Sequence, residues 1–454
     1  MEKIPVIAVF DIGKTNKKLL LFSETYDVMQ ETSLHFDEIS DEDGFPCEDL
    51  RALTGWMIQN YLELLKSDRY LLKAVNFSAY GASFVYLDKE GQVMLPLYNY
   101  LKPYPHSLLE AFYKKWGGED TLARQTASPA LGSLNSGLQV YRLKAENPAL
   151  FEKIKTALHF PQYLSYTLCG VTCTDITSIG CHTQLWNFET GRYHKWVGEE
   201  GLESKFAALT PADELAGFSR EGIPVGPGLH DSSAALIPYL ASFTVPFVLL
   251  STGTWCITLN PFNDQPLTET ELKNDCLCYL TYKGRPVKAS RLFAGNEHEQ
   301  QVKRLADHFG KEIQAYKKVK AVRRLMDKFR PPFDQLKTAK PDNLRPDSGF
   351  SSRNLADFSG YEEAYHRLIA DLVARQVESS WLVIKESPVK QLFVDGGFSR
   401  NRIYMEYLAE AFPELEVSGA EVAQASSLGA AMALHQHWNN QPLPGNLVRL
   451  QKIG

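Results

Sequence analysis

The chain has 454 residues, of which 44% are hydrophobic and 22% charged, and its net charge is −6. This length allows two or three domains with substantial cores, and the charge excludes a general attraction to nucleic acid or to an anionic membrane. No stretch approaches the roughly 20 apolar residues of a membrane span, and the apolar run near the first residue is too short for a signal peptide. With seven scattered cysteines, the sequence predicts a cytoplasmic protein with reduced thiols that binds neither nucleic acid nor membrane.

The predicted elements begin with a hairpin. Residues 5–23 contain two apolar strands, VIAVF and KLLLF, joined by the short turn DIGKTNK. A third extended run, KAVNFSAYGASFVYLD, centres on Gly81 and leads into a hairpin-type turn at residues 88–91. Helical periodicity then predicts helices at 108–116, 136–144 and 160–168.

The second half of the chain repeats this order of elements. PFVLLSTGTWCITL (246–259) reads as strand, Gly/Thr turn and strand, and VKQLFVDGGFSRNRIYMEYLAEAF (389–412) reads as strand, Gly-Gly turn and helix. Strands that alternate with helices in both halves predict two α/β domains, 1–241 and 242–454, with a ligand cleft between them.

The tripeptide GKT (13–15) also ends the P-loop motif, but the rest of that motif is missing. Ala8 stands where its first glycine belongs, and a strand rather than a helix follows. The alternative is a hairpin turn that binds phosphate through backbone amides and polar side chains. Its candidate residues are Gly13, Thr15, Asn16 and Lys17. Asp11, at the end of the first strand, is then a candidate Mg²⁺ ligand, directly or through water; from these residues alone, an ordinary turn is an equal alternative.

Two later turns carry similar residues. Thr252, Gly253 and Thr254 occupy the turn of the second hairpin, so two donor-rich turns could face one polyphosphate. Gly396 and Gly397 offer a close backbone approach that suits a base or a ribose. Each turn is ordinary when taken singly, whereas three at matching places in a duplicated arrangement indicate a nucleotide site.

Together these motifs resemble those of the FGGY carbohydrate kinases, within the sugar kinase, Hsp70 and actin ATPase superfamily, over nearly the whole chain. The matching segments are the two phosphate hairpins, the adenosine motif and the helix that follows it: 11–16, 251–254, 395–401 and 427–431. Lys14 and Asn16 depart from the commonest pattern, and Asp395 replaces a glycine.

The resemblance implies an α/β fold of two ribonuclease H-like (actin-like ATPase) domains with a cleft between them, and ATP and Mg²⁺ as cofactors. Asp11 supports the metal by this resemblance. The implied nucleotide ligands are the residues of the two hairpins and the glycine pair together with Gly295, Asn296 and Asn401.

Gly228-Leu229-His230-Asp231 resembles the Gly-x-x-Asp motif of the family, whose aspartate is the catalytic base. The chemistry suits a carboxylate, because a sugar hydroxyl must lose its proton while magnesium and backbone dipoles carry the phosphoryl charge. From the residues alone, an aspartate that opens a helix is as readily an N-cap. The resemblance favours Asp231 as the base.

The segment SAYGASF (78–84) is most similar to rhamnulokinases, in which a tryptophan and an aspartate take the places of Tyr80 and Ser83. The implied sugar contacts are Tyr80, Gly81, Ser83, His230 and Asp231. The predicted reaction is ATP-dependent phosphorylation of a ketose, such as the 6-deoxy-ketohexoses L-rhamnulose and L-fuculose. Because a serine lacks the charge of a carboxylate, xylulose or another ketose or polyol stays open, as does a core role for Tyr80.

Two further classes of function compete with a kinase. One is a non-catalytic sugar or nucleotide sensor on the same fold, and the other is an actin-like or chaperone-like assembly ATPase. The aspartates at positions 11 and 231 argue against the sensor, and the His-Asp motif argues against the assembly ATPase. Kinases of this kind often form dimers, which leaves a homodimer open.

Overall fold

The computed structural model describes residues 2–338, 347–422 and 424–453. The strands are β1 (Ile4–Ile12), β2 (Lys17–Ser23), β3 (Val28–Leu34), β4 (Ile39–Ser40), β5 (Pro46–Cys47), β6 (Tyr70–Ala79), β7 (Phe84–Leu87), β8 (Thr156–His159), β9 (Thr174–Asp175), β10 (Trp186–Asn187), β11 (Arg192–Tyr193), β12 (Leu209–Thr210), β13 (Gly217–Phe218), β14 (Pro224–Val225), β15 (Leu229–His230), β16 (Phe247–Thr252), β17 (Cys256–Asn260), β18 (Cys276–Leu280), β19 (Pro286–Leu292), β20 (Gln391–Gly396), β21 (Glu416–Glu421) and β22 (Arg449–Lys452).

The α-helices include the three that the sequence predicts, now α2, α4 and α6. They are α1 (Leu50–Leu65), α2 (His106–Lys115), α3 (Glu119–Gln125), α4 (Ser136–Glu146), α5 (Pro148–Lys153), α6 (Phe160–Cys169), α7 (Ile176–Ile179), α8 (Lys195–Glu199), α9 (Asp231–Ser242), α10 (Glu269–Lys273), α11 (Ala294–Phe309), α12 (Arg323–Phe329), α13 (Phe333–Thr338), α14 (Tyr361–Ile384), α15 (Arg402–Ala411), α16 (Ala425–Ala433) and α17 (His435–Trp438). Among the described residues, no helix is both long enough and apolar enough to cross a membrane.

The chain forms two compact units. Unit 1 comprises Met1–Ser242, Cys278–Pro286 and Ala423–Leu447, and unit 2 comprises Phe243–Leu277, Val287–Val422 and Val448–Gly454. Two segments that follow residue 242 in the chain therefore pack with the first unit. One of them carries helix α16.

The main sheet of unit 1 has seven strands, in the order β13-β14-β6-β1-β2-β3, with β15 also paired to β6. Strand β1 is antiparallel to β2 and parallel to β6, which confirms the predicted first hairpin. It is buried along most of its length, so its sequence is a continuous apolar run rather than an alternation. Helix α16 packs so closely on α9 that a Cβ at Gly429 would lie 1.8 Å from the carbonyl oxygen of Ala234.

Most of the second seven-stranded sheet, in the order β18-β19-β17-β16-β20-β21-β22, belongs to unit 2. The predicted second hairpin is β16 and β17, and the predicted strand, Gly-Gly turn and helix are β20, a short 3-10 turn and α15. The 24-residue helix α14 lies in the core of this unit, since 19 of its residues are buried.

The third extended run predicted from the sequence is two strands rather than one. Strand β6 ends at Ala79 and β7 begins at Phe84, and β7 pairs with β8 outside the large sheet. Between the two strands lies Gly81, where a Cβ would stand 2.7 Å from Cδ2 of His230. Glycine has no Cβ and is therefore the one residue type that can pass so close to the ring of His230, and the chain leaves the sheet at this glycine.

Candidate active site

Asp11 lies near the end of β1, and its carboxylate is held by helix α16. The hydroxyls of Ser426 and Ser427 each donate a hydrogen bond of 2.7 Å to Oδ2 of Asp11. Burial raises the pKa of Asp11 and the negative charge of Asp231 raises it further, although the two hydroxyls and Lys18 act in the opposite direction. The charge of Asp231, on α9, therefore reaches the carboxyl of Asp11, on β1.

Asp231 is the first residue of α9, and its side chain is 36% exposed. Oδ1 accepts a hydrogen bond of 2.6 Å from the backbone amide of Ser232, the next residue. An N-cap side chain instead accepts from an amide two or three residues further along, so this carboxylate does not act as a regular cap. Burial of the carboxyl raises the pKa of Asp231 to about 6, despite the hydrogen bonds from Ser232 that lower it.

His230 lies against the base candidate and is almost fully buried. Its Nε2 stands 3.4 Å from Oδ1 of Asp231 and 3.1 Å from Sγ of Cys181. The ring stacks on Tyr279 with centroids 5.6 Å apart, and Gly81 leaves room for it. Burial lowers the pKa of His230 to about 3, so the imidazole is neutral at physiological pH.

Tyr80 and Ser83, the two remaining residues that are predicted to contact the sugar, are both buried. The ring of Tyr80 packs between Tyr100 and Phe160, with centroids 5.7 and 5.0 Å away, so it belongs to an aromatic cluster at the edge of the core. The hydroxyl of Ser83 donates a 2.8 Å hydrogen bond to the carbonyl of Tyr98 and is fully enclosed. The one donor of Ser83 is therefore used inside the protein, and its predicted contact with a sugar stays a prediction.

The turn between β1 and β2 presents only part of the predicted phosphate set. Thr15 and Asn16 are exposed, and the amide of Gly13 bonds to the carbonyl of Asn16 at 3.0 Å. Lys14 pairs with Glu38.

Lys17 faces inward from this turn. Its ammonium is buried and contacts Glu48 Oε1 at 2.8 Å and the carbonyls of Gly13 and Lys14 at 3.1 and 3.0 Å. The ammonium therefore stabilises the turn from the inside, and the predicted role of Lys17 as a phosphate ligand stays a prediction.

Lys17→Met is expected to lower the free energy of unfolding by about 3–5 kcal/mol. The buried carboxylate of Glu48 loses its close partner and keeps only the ammonium of Lys14, 3.8 Å away. Urea denaturation measures this change. The double variant Lys17→Met, Glu48→Leu is expected to recover most of the loss, since no buried charge is left unpaired. An equally unstable double variant would contradict this account of the pair.

Three of the predicted nucleotide motifs come together in unit 2. The amide of Asn296 bonds to the carbonyl of Thr254 at 3.1 Å, and a Cβ at Gly295 would stand 1.7 Å from the carbonyl oxygen of Gly253. Gly396 has a φ of +84°, and a Cβ there would lie 1.9 Å from the carbonyl oxygen of Thr252. The backbones of the β16–β17 turn, the start of α11 and the end of β20 are therefore in direct contact.

A cavity of about 1110 Å³ opens beside these backbones. Of the predicted nucleotide residues it is lined by Thr252, Gly253, Gly295, Gly397 and Asn401. Its wall is partly aromatic and partly cationic, with the side chains of Tyr316, Tyr365, Phe398, Lys317, Lys318, Lys320, Arg400 and Arg402. Aromatic faces suit a base and cations suit phosphate, so the cavity fits a nucleotide in size and in chemistry.

Asn401 has a structural task in this cavity as well. Its Oδ1 accepts from the amide of Tyr404 at 3.2 Å, which caps α15, and its Nδ2 donates to the hydroxyl of Tyr365 at 2.9 Å. The side chain therefore fixes an aromatic wall residue and the start of a helix together.

Gly295→Ala is expected to weaken nucleotide binding by at least about 10-fold, because the added methyl group must displace the backbone of the β16–β17 turn. Isothermal titration with ADP measures the effect. Gly360→Ala is the matched control in the same unit, since a Cβ there meets no atom within 4 Å and φ is 170°. Unchanged ADP affinity in Gly295→Ala would exclude this backbone contact from the nucleotide site.

Several neighbours of Asp11, Asp231 and His230 were not predicted from the sequence: Ser426, Ser427, Lys18, Tyr100, Cys181, His182 and Tyr279. Ser426 directly precedes the predicted 427–431 motif and Ser427 begins it. The sequence motif therefore lies at the right place, but the hydrogen bonds of these serines to Asp11 depend on the packing of α16. Lys18 lies directly opposite Asp11 in the hairpin register, which the turn sequence alone does not define.

The two α/β units and their paired strand–turn–strand motifs define the two-domain, actin-like ATPase fold of sugar kinases, as predicted. The N-terminal domain model of the FGGY family of carbohydrate kinases matches residues 6–237, and the model of the carbohydrate kinase FGGY C-terminal domain matches residues 244–442. The chain belongs to the FGGY family of carbohydrate kinases, which confirms the predicted family.

Sequence relatives include rhamnulokinases. That of Mannheimia succiniciproducens is 25% identical over 280 residues, which are 59% of this chain and 57% of the relative. That of Bacillus subtilis is 24% identical over 286 residues, 60% of this chain and 57% of the relative. The aligned regions thus cover little more than half of these relatives.

Solved structures with the same fold extend over the whole chain. A carbohydrate kinase from Novosphingobium aromaticivorans has a TM-score of 0.78 at 21% identity and covers 100% of this chain and 94% of its own. A xylulose kinase from Lactobacillus acidophilus has a TM-score of 0.79 at 15% identity, covering 99% of this chain and 93% of its own. At these identities the structures define the fold.

Proposed function

We propose that this protein transfers the terminal phosphoryl group of ATP to a hydroxyl of a ketose. The observation that carries the proposal is the position of Asp11 and Asp231 at the ends of two elements of unit 1, where the charge of Asp231 raises the pKa of Asp11. Of two neighbouring carboxylates with different surroundings, one can bind a cation while the other abstracts a proton.

Asp231 serves as the base in this proposal. It is partly exposed, and its pKa of about 6 leaves it ionised at neutral pH yet basic enough to accept a proton. His230 is neutral and lies next to it, so the ring can hydrogen-bond a substrate without adding charge. The base thus takes the proton from the attacking hydroxyl while His230 orients the sugar.

The surroundings of Asp11 fit a magnesium ion. Both serine hydroxyls bind Oδ2, and Asp11 and Asp231 together supply the negative charge and oxygen atoms that a hard cation prefers. Asp11 would hold the ion through Oδ1 or through a bound water. When bound, magnesium supplies positive charge that stabilises the phosphoryl group in transfer.

The nucleotide is proposed to occupy the cavity of unit 2. Tyr365 and Phe398 offer apolar faces to a base, and the β16–β17 turn lines the cavity with Thr252 and Gly253. His298 is neutral there because burial lowers its pKa to about 4. Cations on the cavity wall balance the charge of the phosphates.

We propose a 6-deoxy-ketohexose, of the kind of L-rhamnulose or L-fuculose, as the acceptor. The sequence relatives carry the name rhamnulokinase. Tyr100, whose pKa is raised by burial and then by the charge of Asp231, extends the aromatic cluster of Tyr80 and Phe160 towards the base. An aromatic surface suits the methyl group of a deoxy sugar, which offers no hydrogen bond.

The test is an assay of ADP release with a panel of ketoses that includes L-rhamnulose, L-fuculose and xylulose, each at the same concentration. One preferred 6-deoxy-ketose supports the proposal. Preference for xylulose would retain the kinase and overturn the substrate, sugar-independent release would indicate an ATPase, and no turnover with any sugar would favour a sensor.

The kcat/KM for the sugar is expected to rise with pH up to a midpoint near 6 and to level off above it. The base must be ionised, and burial raises the pKa of Asp231 from 3.8 to about 6. Below the midpoint the rate should fall about tenfold per pH unit. Initial rates between about pH 5 and 8, with coupling enzymes in excess, provide the profile, and a flat profile over this range would contradict the assignment of the base.

A further inference from the structure

Three potential ligands of a soft metal ion lie beside the base in unit 1. Sγ of Cys181 and one ring nitrogen each of His182 and His230 are all within 4.8 Å of one another, and all three residues are buried. A thiolate with two imidazoles is a donor set of zinc sites, in which an open fourth position is common. No part of the proposed reaction requires the sulfur atom.

A backbone carbonyl fixes the tautomer of His182. Its Nδ1 lies 3.1 Å from the carbonyl oxygen of Leu134, and because a carbonyl only accepts, Nδ1 carries the proton. Nε2 is therefore the unprotonated nitrogen, and a backbone carbonyl fixes the tautomer of metal-binding histidines in the same way. The backbone of His182 is left-handed, with φ of +38°, a strained conformation of the kind found at binding sites.

His230 can join the same ion without a competing hydrogen bond at its other nitrogen. Its Nδ1 is buried and has no hydrogen-bond partner in the described part of the chain, so no contact there fixes the tautomer. Nε2 is the nitrogen that faces Sγ of Cys181, and Oδ1 of Asp231 lies 3.4 Å from it on the exposed side. The carboxylate of Asp231 is therefore in reach as a fourth ligand.

We propose that Cys181, His182 and His230 form a site for a thiophilic divalent cation, with Zn²⁺ as the fitting ion, and that the bound ion inhibits phosphoryl transfer by engaging Asp231. Binding forms a metal–sulfur bond and releases the thiol proton of Cys181 to solvent. The hard Mg²⁺ of the reaction does not compete well for sulfur and imidazole. The inhibition rests on the proposed function, whereas the binding does not.

Binding is tested with Co²⁺ as a spectroscopic probe on the untagged, reduced full-length protein. We expect a sulfur-to-cobalt charge-transfer band that saturates at one equivalent and disappears when one equivalent of Zn²⁺ is added. Cys181→Ser should abolish the band and His182→Asn should weaken Co²⁺ affinity by at least about 10-fold. Cys169→Ser is the matched control, a thiol replacement at a half-buried position on α6, and should leave the band unchanged. Absence of the band in the wild-type protein, or its persistence in Cys181→Ser, overturns the site.

Inhibition is tested by comparing rates with and without Zn²⁺ for each variant at fixed Mg²⁺ and ATP. The Zn²⁺ concentration that halves the rate should rise at least about 10-fold in Cys181→Ser and stay unchanged in Cys169→Ser. Complexes of Zn²⁺ with ATP affect both variants alike. Equal inhibition of both variants would overturn the inhibitory role. A protein that shows the cobalt band but phosphorylates no ketose would instead refute the proposed function alone.

Discussion

Asp231→Asn is expected to lower kcat for the preferred ketose by about 10²–10⁴-fold, the range that a positioned general base contributes. The substitution keeps the shape and the acceptor oxygen that receives the amide of Ser232, but the side chain can no longer accept the proton of the sugar hydroxyl. Coupled measurement of ADP release at saturating sugar and Mg²⁺–ATP gives the value. A protein acting as a sensor would show no such loss, because it would have no turnover to lose.

Two controls separate this effect from misfolding. Asp213→Asn changes the same functional group in the same unit, at a carboxylate that pairs with Lys283, and should keep its rate. ADP affinity of Asp231→Asn should match the wild type, since every residue lining the cavity belongs to unit 2. Retention of more than about a tenth of kcat would remove Asp231 from the role of base.

The hairpins, the glycine pair and the family could be predicted from the sequence because their signals are local. An apolar run, a turn of Gly and Thr and a second apolar run fix a strand–turn–strand unit with no knowledge of the rest of the fold. The clashes at Gly295 and Gly396 show why those positions hold glycine. A sequence shows such a steric requirement directly, as a glycine at a fixed place in a motif.

The direction of the lysines after the first turn could not be predicted, because it depends on the register. In the antiparallel pair, Lys17 lies opposite Ile12 and Lys18 lies opposite Asp11. Opposite residues point to the same face of a sheet, so Lys17 shares the buried side of Ile12, and Lys18 shares the side of the carboxylate. A shift of one residue would exchange the two roles.

The hydrogen-bond partners of Asp11 and Ser83 could not be predicted either. Those of Asp11 lie far away in the chain, and that of Ser83 is a backbone atom. Ser426 lies 415 residues from Asp11 in the chain, and only the packing of α16 brings its hydroxyl there. The enclosure of Ser83 depends on the carbonyl of Tyr98, and any residue type at position 98 would supply that acceptor. Neither contact leaves a pattern in a single sequence.

Asp11→Asn is expected to lower kcat by at least about 10²-fold and to abolish the stabilisation of the protein by Mg²⁺. The reason is that the amide oxygen can still accept from both serine hydroxyls, but the neutral side chain loses the charge that holds the cation. The cation supplies several kcal/mol of transition-state stabilisation. Rates over a Mg²⁺ titration measure the first effect. The second is measured by the Mg²⁺ dependence of the melting temperature, since an ion that binds only the folded state raises it.

Without Mg²⁺, the same substitution should leave the folded state at least as stable as the wild type at neutral pH. Burial raises the pKa of Asp11 above 3.8 in the folded protein, so ionisation of this group costs stability as pH rises through the raised pKa. Asparagine removes that cost, and its advantage should vanish at low pH, where Asp11 is protonated in both states. Activity and stability are therefore expected to change in opposite directions at one residue, which is typical of a charge retained for function. A variant that loses stability and activity together at neutral pH would instead make Asp11 a structural residue.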